Sequence, residues 1–118
     1  MKFIITEEQH NSIQEQKSLE KKSDMIFDVF KMLYPDYEET YLGYSNETEV
    51  KSEDGELLFF FRWGRKEFLY GVKFIENIEG WLGPLDDEIN SEYLKKVMTV
   101  FAKRHFGWDA KSCGYHWY

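Results

Sequence analysis

Four side chains near the end of this 118-residue chain have the composition of a metal or nucleophile site: Cys113 and His116, with His105 and Asp109 upstream. Thiolate and imidazole are zinc ligands, and a cysteine beside a histidine is also a nucleophile beside its base. The spacing argues against both. In an extended tail, positions 113 and 116 have opposite parity and point to opposite sides of the strand. Structural zinc wants four tetrahedral ligands, and a second Cys/His pair is missing from the pattern. A nucleophilic Cys113 would need hydrogen-bond reach to a base and a low thiol pKa, which a sequence does not display. His105 is most simply the penultimate residue of a helix, where the dipole favours cations.

Three further clusters invite chemistry. Asp86-Asp87-Glu88 resembles a carboxylate site for a divalent cation, but calcium-loop spacing is absent, and acids are favoured just before a helix in any case. Gly80-Trp81-Leu82-Gly83 lacks the spacing and the lysine of a phosphate loop, and reads as a turn. Arg62, Arg65 and Lys66 among Phe60, Phe61, Trp63 and Tyr70 suggest a nucleic-acid surface, since aromatic rings stack bases and arginine holds phosphate. The order helix, three strands, helix is even that of a double-stranded-RNA-binding domain. The charges disagree with that reading. The loop expected to reach the minor groove is Glu53-Asp54-Gly55-Glu56, and the last helix opens on Asp86, Asp87, Glu88 and Glu92 before Lys95-Lys96. Against a polyanion each wrong sign costs affinity.

The elements that would position these residues follow from periodicity. Thr6-Glu7-Glu8-Gln9 matches a capping box, and a polar helix is expected from Glu7 to Lys22, with Ile13 and Leu19 as its only aliphatic residues. Ser23 is read as the N-cap of a second helix, Asp24 to Tyr34, striped by Ile26, Phe27, Phe30, Leu33 and Tyr34 and ended by Pro35. A tyrosine-rich acidic connection follows, with a short strand near Tyr41 to Tyr44. Strands are expected at Glu47–Ser52, Glu56–Trp63 and Glu67–Ile75, turned by Asp54-Gly55 and by Gly64-Arg65-Lys66. Residues 77–84 read as a loop carrying Trp81. A last helix runs from the cap Ser91 to Phe106, and Gly107 ends it. The tail Trp108 to Tyr118 alternates as a terminal strand.

The sum is an α+β domain: a three-stranded antiparallel meander with a C-terminal edge strand, two amphipathic helices packed on one face, and a polar N-terminal helical arm. The arm spans residues 1–22 and the domain 23–118. In Leu57-Leu58-Phe59-Phe60-Phe61-Arg62-Trp63 both parities are apolar, so both sheet faces need cover. The two striped helices supply one face. The polar arm, the tyrosine loop or a partner must supply the other.

Composition narrows the function classes. Twenty-two aromatics, 19% of the residues, suit a dense core or an adhesive surface. The apolar runs are too short to span a membrane, the opening is not a signal peptide, and the single Cys113 fits a reducing cytosol. The net charge of −7 is unevenly spread: residues 36–56 hold eight acids against Lys51 alone, whereas residues 57–75 and 93–118 are net basic. Such blocks ordinarily pair within the fold.

The opening Met1-Lys2-Phe3-Ile4-Ile5-Thr6-Glu7-Glu8-Gln9 resembles the start of small uncharacterised accessory proteins of tailed phages. The later layout of hairpin, aromatic strand pair, glycine-capped helix and short tail is similar to some of them. The resemblance implies an accessory protein acting in the cytoplasm of a host bacterium, and it brings no catalytic residues. The expectation is therefore a non-enzymatic protein without cofactor or metal. It would bind a protein partner, or a second copy of itself, through aromatic sheet and tail surface: Phe60, Arg62, Trp63, Trp81, Trp117 and Tyr118. An acidic nucleic-acid mimic, directed at a host DNA-binding defence protein, is the alternative. A nucleic-acid-binding module built on the Arg62/Arg65/Lys66 hairpin comes third.

Overall fold

The computed structural model describes residues 7–86, 89 and 91–117, with side chains from residue 13 onward. The chain is α+β. A long helix α1 (Glu7–Leu33) is followed by four strands, β1 (Glu38–Leu42), β2 (Glu47–Lys51), β3 (Leu57–Arg62) and β4 (Glu67–Gly71). Helices α2 (Val72–Leu82) and α3 (Glu92–Phe106) and a strand β5 (Ser112–His116) complete the described elements. The sheet keeps chain order, with β1 to β4 antiparallel and β5 parallel to β4.

The two helices expected at 7–22 and 24–34 are one. Leu19, Ser23, Ile26 and Phe30 are all buried and recur at helical spacing, so Ser23 falls on the inward stripe rather than at a cap. Its hydroxyl donates to the Glu20 carbonyl 2.9 Å away, which satisfies the buried oxygen without breaking the helix. Residues 13–18 are exposed, and burial begins at Leu19. Glu15 meets Lys96 at 3.1 Å and Asp24 meets Arg104 at 2.7 Å, so α1 runs parallel to α3. Thr6, the expected cap, lies outside the described residues.

The expected three-stranded meander has a fourth strand, because β1 forms at 38–42, ahead of the 41–44 segment. The expected third strand stops at Gly71 instead of Ile75, and the expected loop at 77–84 is mostly helix. Val72, Phe74 and Ile75 carry strand-type side chains. However, Phe74, Ile75 and Ile78 bury together only at a helical period, and that burial overrides local propensity. Gly83, at φ 83°, ends α2 in a conformation costly for other residues. The last helix is as expected: the Ser91 hydroxyl accepts from the Leu94 amide at 3.0 Å, and Gly107 is left-handed. A parallel neighbour needs a long crossover, which α2 and α3 supply, so β5 pairs within the chain.

Register assigns the faces. Val50, Phe59 and Tyr70 align across the sheet, as do Thr48, Phe61 and Phe68. On this face Phe30 of α1, Phe74 of α2 and Phe101 and Phe106 of α3 place their rings 5.2 to 5.6 Å from Phe59. Trp108 stacks 5.5 Å over Phe61. All three helices thus cover one face. The other carries Glu49, Phe60, Leu69 and Gly114 in one row and Glu47, Arg62, Glu67 and Ser112 in the next.

Replacing Phe59 with alanine removes the ring on which all three helices converge. Urea denaturation is expected to show a loss of about 3–5 kcal/mol. Trp117→Ala, at an exposed position, is expected to stay within about 0.5 kcal/mol of the parent.

Candidate functional site

Of the six residues read from the sequence as a contact surface, the five described ones do not form one patch. Phe60 and Arg62 lie on the helix-free face, but Phe60 is only 8% exposed. The Arg62 guanidinium lies 5.4 Å over its ring and His116 lies 5.1 Å to its side. Arg62 is itself held, with Nε 3.3 Å from Glu47 and Nη1 3.0 Å from Glu67. The face expected to need a cover is thus closed at its centre by its own charged side chains. Trp81 is exposed on α2, above a shallow cavity shared with Leu33, Tyr34 and Asn77. Trp117 is exposed just past β5, with its ring 5.5 Å from Tyr115. Tyr118 lies outside the described residues.

Trp63 sits differently. Its ring meets Phe61 edge-on at 4.9 Å, on the helix-bearing side, near the β1 and β2 margin. The helices pack on β3, β4 and β5 and leave this corner bare. Trp63 Nε1 donates to the Thr48 hydroxyl at 2.8 Å, and its backbone amide donates to the Asn46 carbonyl at 3.0 Å. Across the ribbon, the Tyr41 hydroxyl donates to Asn46 Oδ1 at 2.7 Å. Asn46 is left-handed at φ 53°, a conformation asparagine tolerates, and this turns one residue toward both aromatic strands. Trp63 is 42% exposed, Tyr41 58% and Tyr44 89%, yet the polar tips of Trp63 and Tyr41 are pinned.

Beside this corner, Ser45, Asn46, Glu47, Arg62, Gly64 and Arg65 line a polar notch. Tyr41 and Tyr44 were absent from the sequence-based surface because they read as part of a connection. The signal available was their position beside a strand and ahead of Asn46, where a turn exposes side chains.

Other groups are structural. The Cys113 thiol is pushed up to about 12 by burial, against a Thr99 hydrogen bond that lowers it, so it is a poor nucleophile at neutral pH. Cys113 and His116 fall opposite Phe68 and Gly71, on opposite faces of the sheet. Burial also raises the Tyr70 phenol, whose hydroxyl donates to the Ile89 carbonyl at 2.6 Å. Among the described residues, no group of three or more His, Cys, Asp or Glu could hold a metal ion. Nor is any helix among them long and apolar enough to cross a membrane. Asp87 and Glu88 lie outside the described residues.

The α1–α3 contact carries a titrating cluster. The Asp24 carboxylate takes a two-pronged bond from Arg104, at 2.7 and 3.1 Å, which holds it below the ordinary value of 3.8. His105 Nε2 lies 2.9 Å from Asp24, and its ring stacks 4.1 Å on Phe27, which Lys31 caps from 4.6 Å. Burial holds the imidazole below its ordinary 6.5, outweighing the pull of Asp24. His116 is depressed by burial too.

Compared with known proteins, the chain matches no family model, no curated protein and no solved structure.

Two outcomes follow from these titrations. A histidine depressed in the fold is protonated first in the unfolded chain. Its stabilising share is therefore complete above pH 6.5 and is lost as pH falls through that value toward the lower folded one. The melting temperature is expected to drop between neutral pH and pH roughly 5.5. The drop should shrink in His105→Gln/His116→Gln; an unchanged slope would contradict the assignment. Asp24 adds a second loss only as pH falls below 3.8. Separately, Cys113 is expected to react slowly with a disulfide reagent at mildly alkaline pH and quickly once urea is added.

Proposed function

We propose that this chain is a non-enzymatic accessory protein of phage type, working in a host bacterial cytoplasm. It docks a protein partner through the bare corner of its sheet, with Trp63 and Tyr41 as anchors and Tyr44 beside them. The observation that carries the reading is the pinned exposure of these rings. A surface aromatic that flops loses side-chain entropy on binding; one whose polar tip is already bonded loses less. Trp and Tyr held with their rings toward water are the residue types that dominate interface energetics. The high thiol pKa of Cys113 argues against that residue as a nucleophile at neutral pH.

The charge arrangement favours protein over nucleic acid as partner. Arg62, the centre of the basic hairpin reading, is engaged by two glutamates. Glu38 and Glu39 are exposed on the same strand as Tyr41, and a phosphate backbone reaching that edge would meet their charge.

The test is capture of a partner from host lysate with tagged wild type and single variants, each confirmed folded by circular dichroism. Trp63→Ala and Tyr41→Ala are each expected to weaken capture about tenfold or more, equivalent to about 1.4 kcal/mol. Trp81→Ala and Trp117→Ala should bind as wild type. If the last two abolish capture and the first two do not, the docking surface lies elsewhere.

A further inference from the structure

The corner that bears the aromatics ends in an open sheet edge. Strand β1 pairs with β2 on one side only among the described residues, and Glu38, Glu39, Thr40 and Tyr41 are all exposed. An edge strand presents a row of amide and carbonyl groups that another extended chain can use. Alternation places Glu39 and Tyr41 on the side of Trp63, and Glu38, Thr40 and Leu42 on the other.

Charge decides what fits there. Of the eight acids in residues 36–56, Glu47 is bound by Arg62, Glu49 by Lys51 and Glu56 by Lys73. Glu38 and Glu39, on the edge strand itself, form no ion pair with a described residue. A second copy is disfavoured, because it would bring two ribbons of the same sign within one strand spacing, about 4.8 Å. A polyanion is disfavoured on the same ground.

Resting on the docking surface proposed above, we infer that β1 receives an extended basic segment of the partner as a sixth strand. Lysine or arginine side chains of that segment would lie beside Glu38 and Glu39, and an apolar side chain would lie beside Tyr41 and Trp63. Backbone bonding supplies affinity in this mode, and the alternating side chains supply selectivity.

The experiment uses fluorescence anisotropy with a labelled lysine peptide repeating Lys-Lys-Thr-Val, which can set lysines beside Glu38 and Glu39 and a valine beside Tyr41. Its glutamate counterpart is compared, as is the lysine peptide N-methylated at every other residue in either phase. The full-length wild type should bind the lysine peptide at physiological salt and ignore the glutamate one. N-methylation in one phase should cost about tenfold or more, and so should Glu38→Gln/Glu39→Gln in the protein. Amide exchange at residues 38–42 should slow on binding. Equal affinity for both N-methylated peptides and the parent would mean charge attraction alone and would overturn strand addition. Failure of the lysine peptide to bind, while Trp63→Ala still loses the captured partner, would end this inference and leave the aromatic surface standing. Failure of the lysine peptide to bind, with capture unchanged in Trp63→Ala, would remove both.

Discussion

The convergence of rings on Phe59 is the contact on which the architecture depends. One side chain in the third strand touches Phe30, Phe74, Phe101 and Phe106, and so ties α1, α2 and α3 to the same point of the sheet. Trp108 and Phe68 close the cluster, at 6.2 and 5.6 Å. Because ring pairs prefer edge and tilted contacts, a cluster of this kind fixes relative orientation as well as distance. The helices therefore cannot be shared between the two faces. Their placement on one face follows from a single shared neighbour.

That one-sidedness sets a problem on the reverse face, where Phe60 and Leu69 are flanked by charge. The fold answers it locally. Arg62 spreads its guanidinium over Phe60 while Glu47 and Glu67, its cross-strand neighbours, hold the guanidinium in place. Long cationic side chains covering apolar surface are an ordinary substitute for a helix. This seal closes the centre of the reverse face, while the helices leave the Tyr41–Trp63 corner uncovered.

What was legible in the sequence follows from how local each determinant is. The Ser91 cap, the Leu94-to-Phe106 stripe and Gly107 lie within one element, and α3 is found where they place it. Asp54-Gly55 likewise makes its turn, with Gly55 at φ 88°. The errors arise where a distant partner decides. Val72 to Ile75 could continue a strand until the burial of Phe74, Ile75 and Ile78 under α1 and across β3 selects a helix. Ser23 looks like a cap until Glu20 satisfies it inside α1. For the site, Trp63 was legible as an interface residue type. The burial of Phe60 was not legible because its cover, Arg62, is held by strands on either side, a relation no single segment displays.

The aromatic excess resolves into two populations with different work. Among the described residues, the large exposed apolar side chains include Tyr41, Tyr44, Trp63, Trp81, Tyr93 and Trp117, and no phenylalanine. Phenylalanine fills the core; tyrosine and tryptophan face water. The buried exceptions are Trp108 and Tyr70, and Tyr70 gives its hydroxyl to the Ile89 carbonyl. If aromatic content served the core alone, rings with a polar handle would have no reason to be the ones outside. Their partition matches a surface that must be wet when free and dry when bound. At the Tyr41–Trp63 corner such rings are also held still by hydrogen bonds at their polar tips, and the docking role we propose for that corner draws on this.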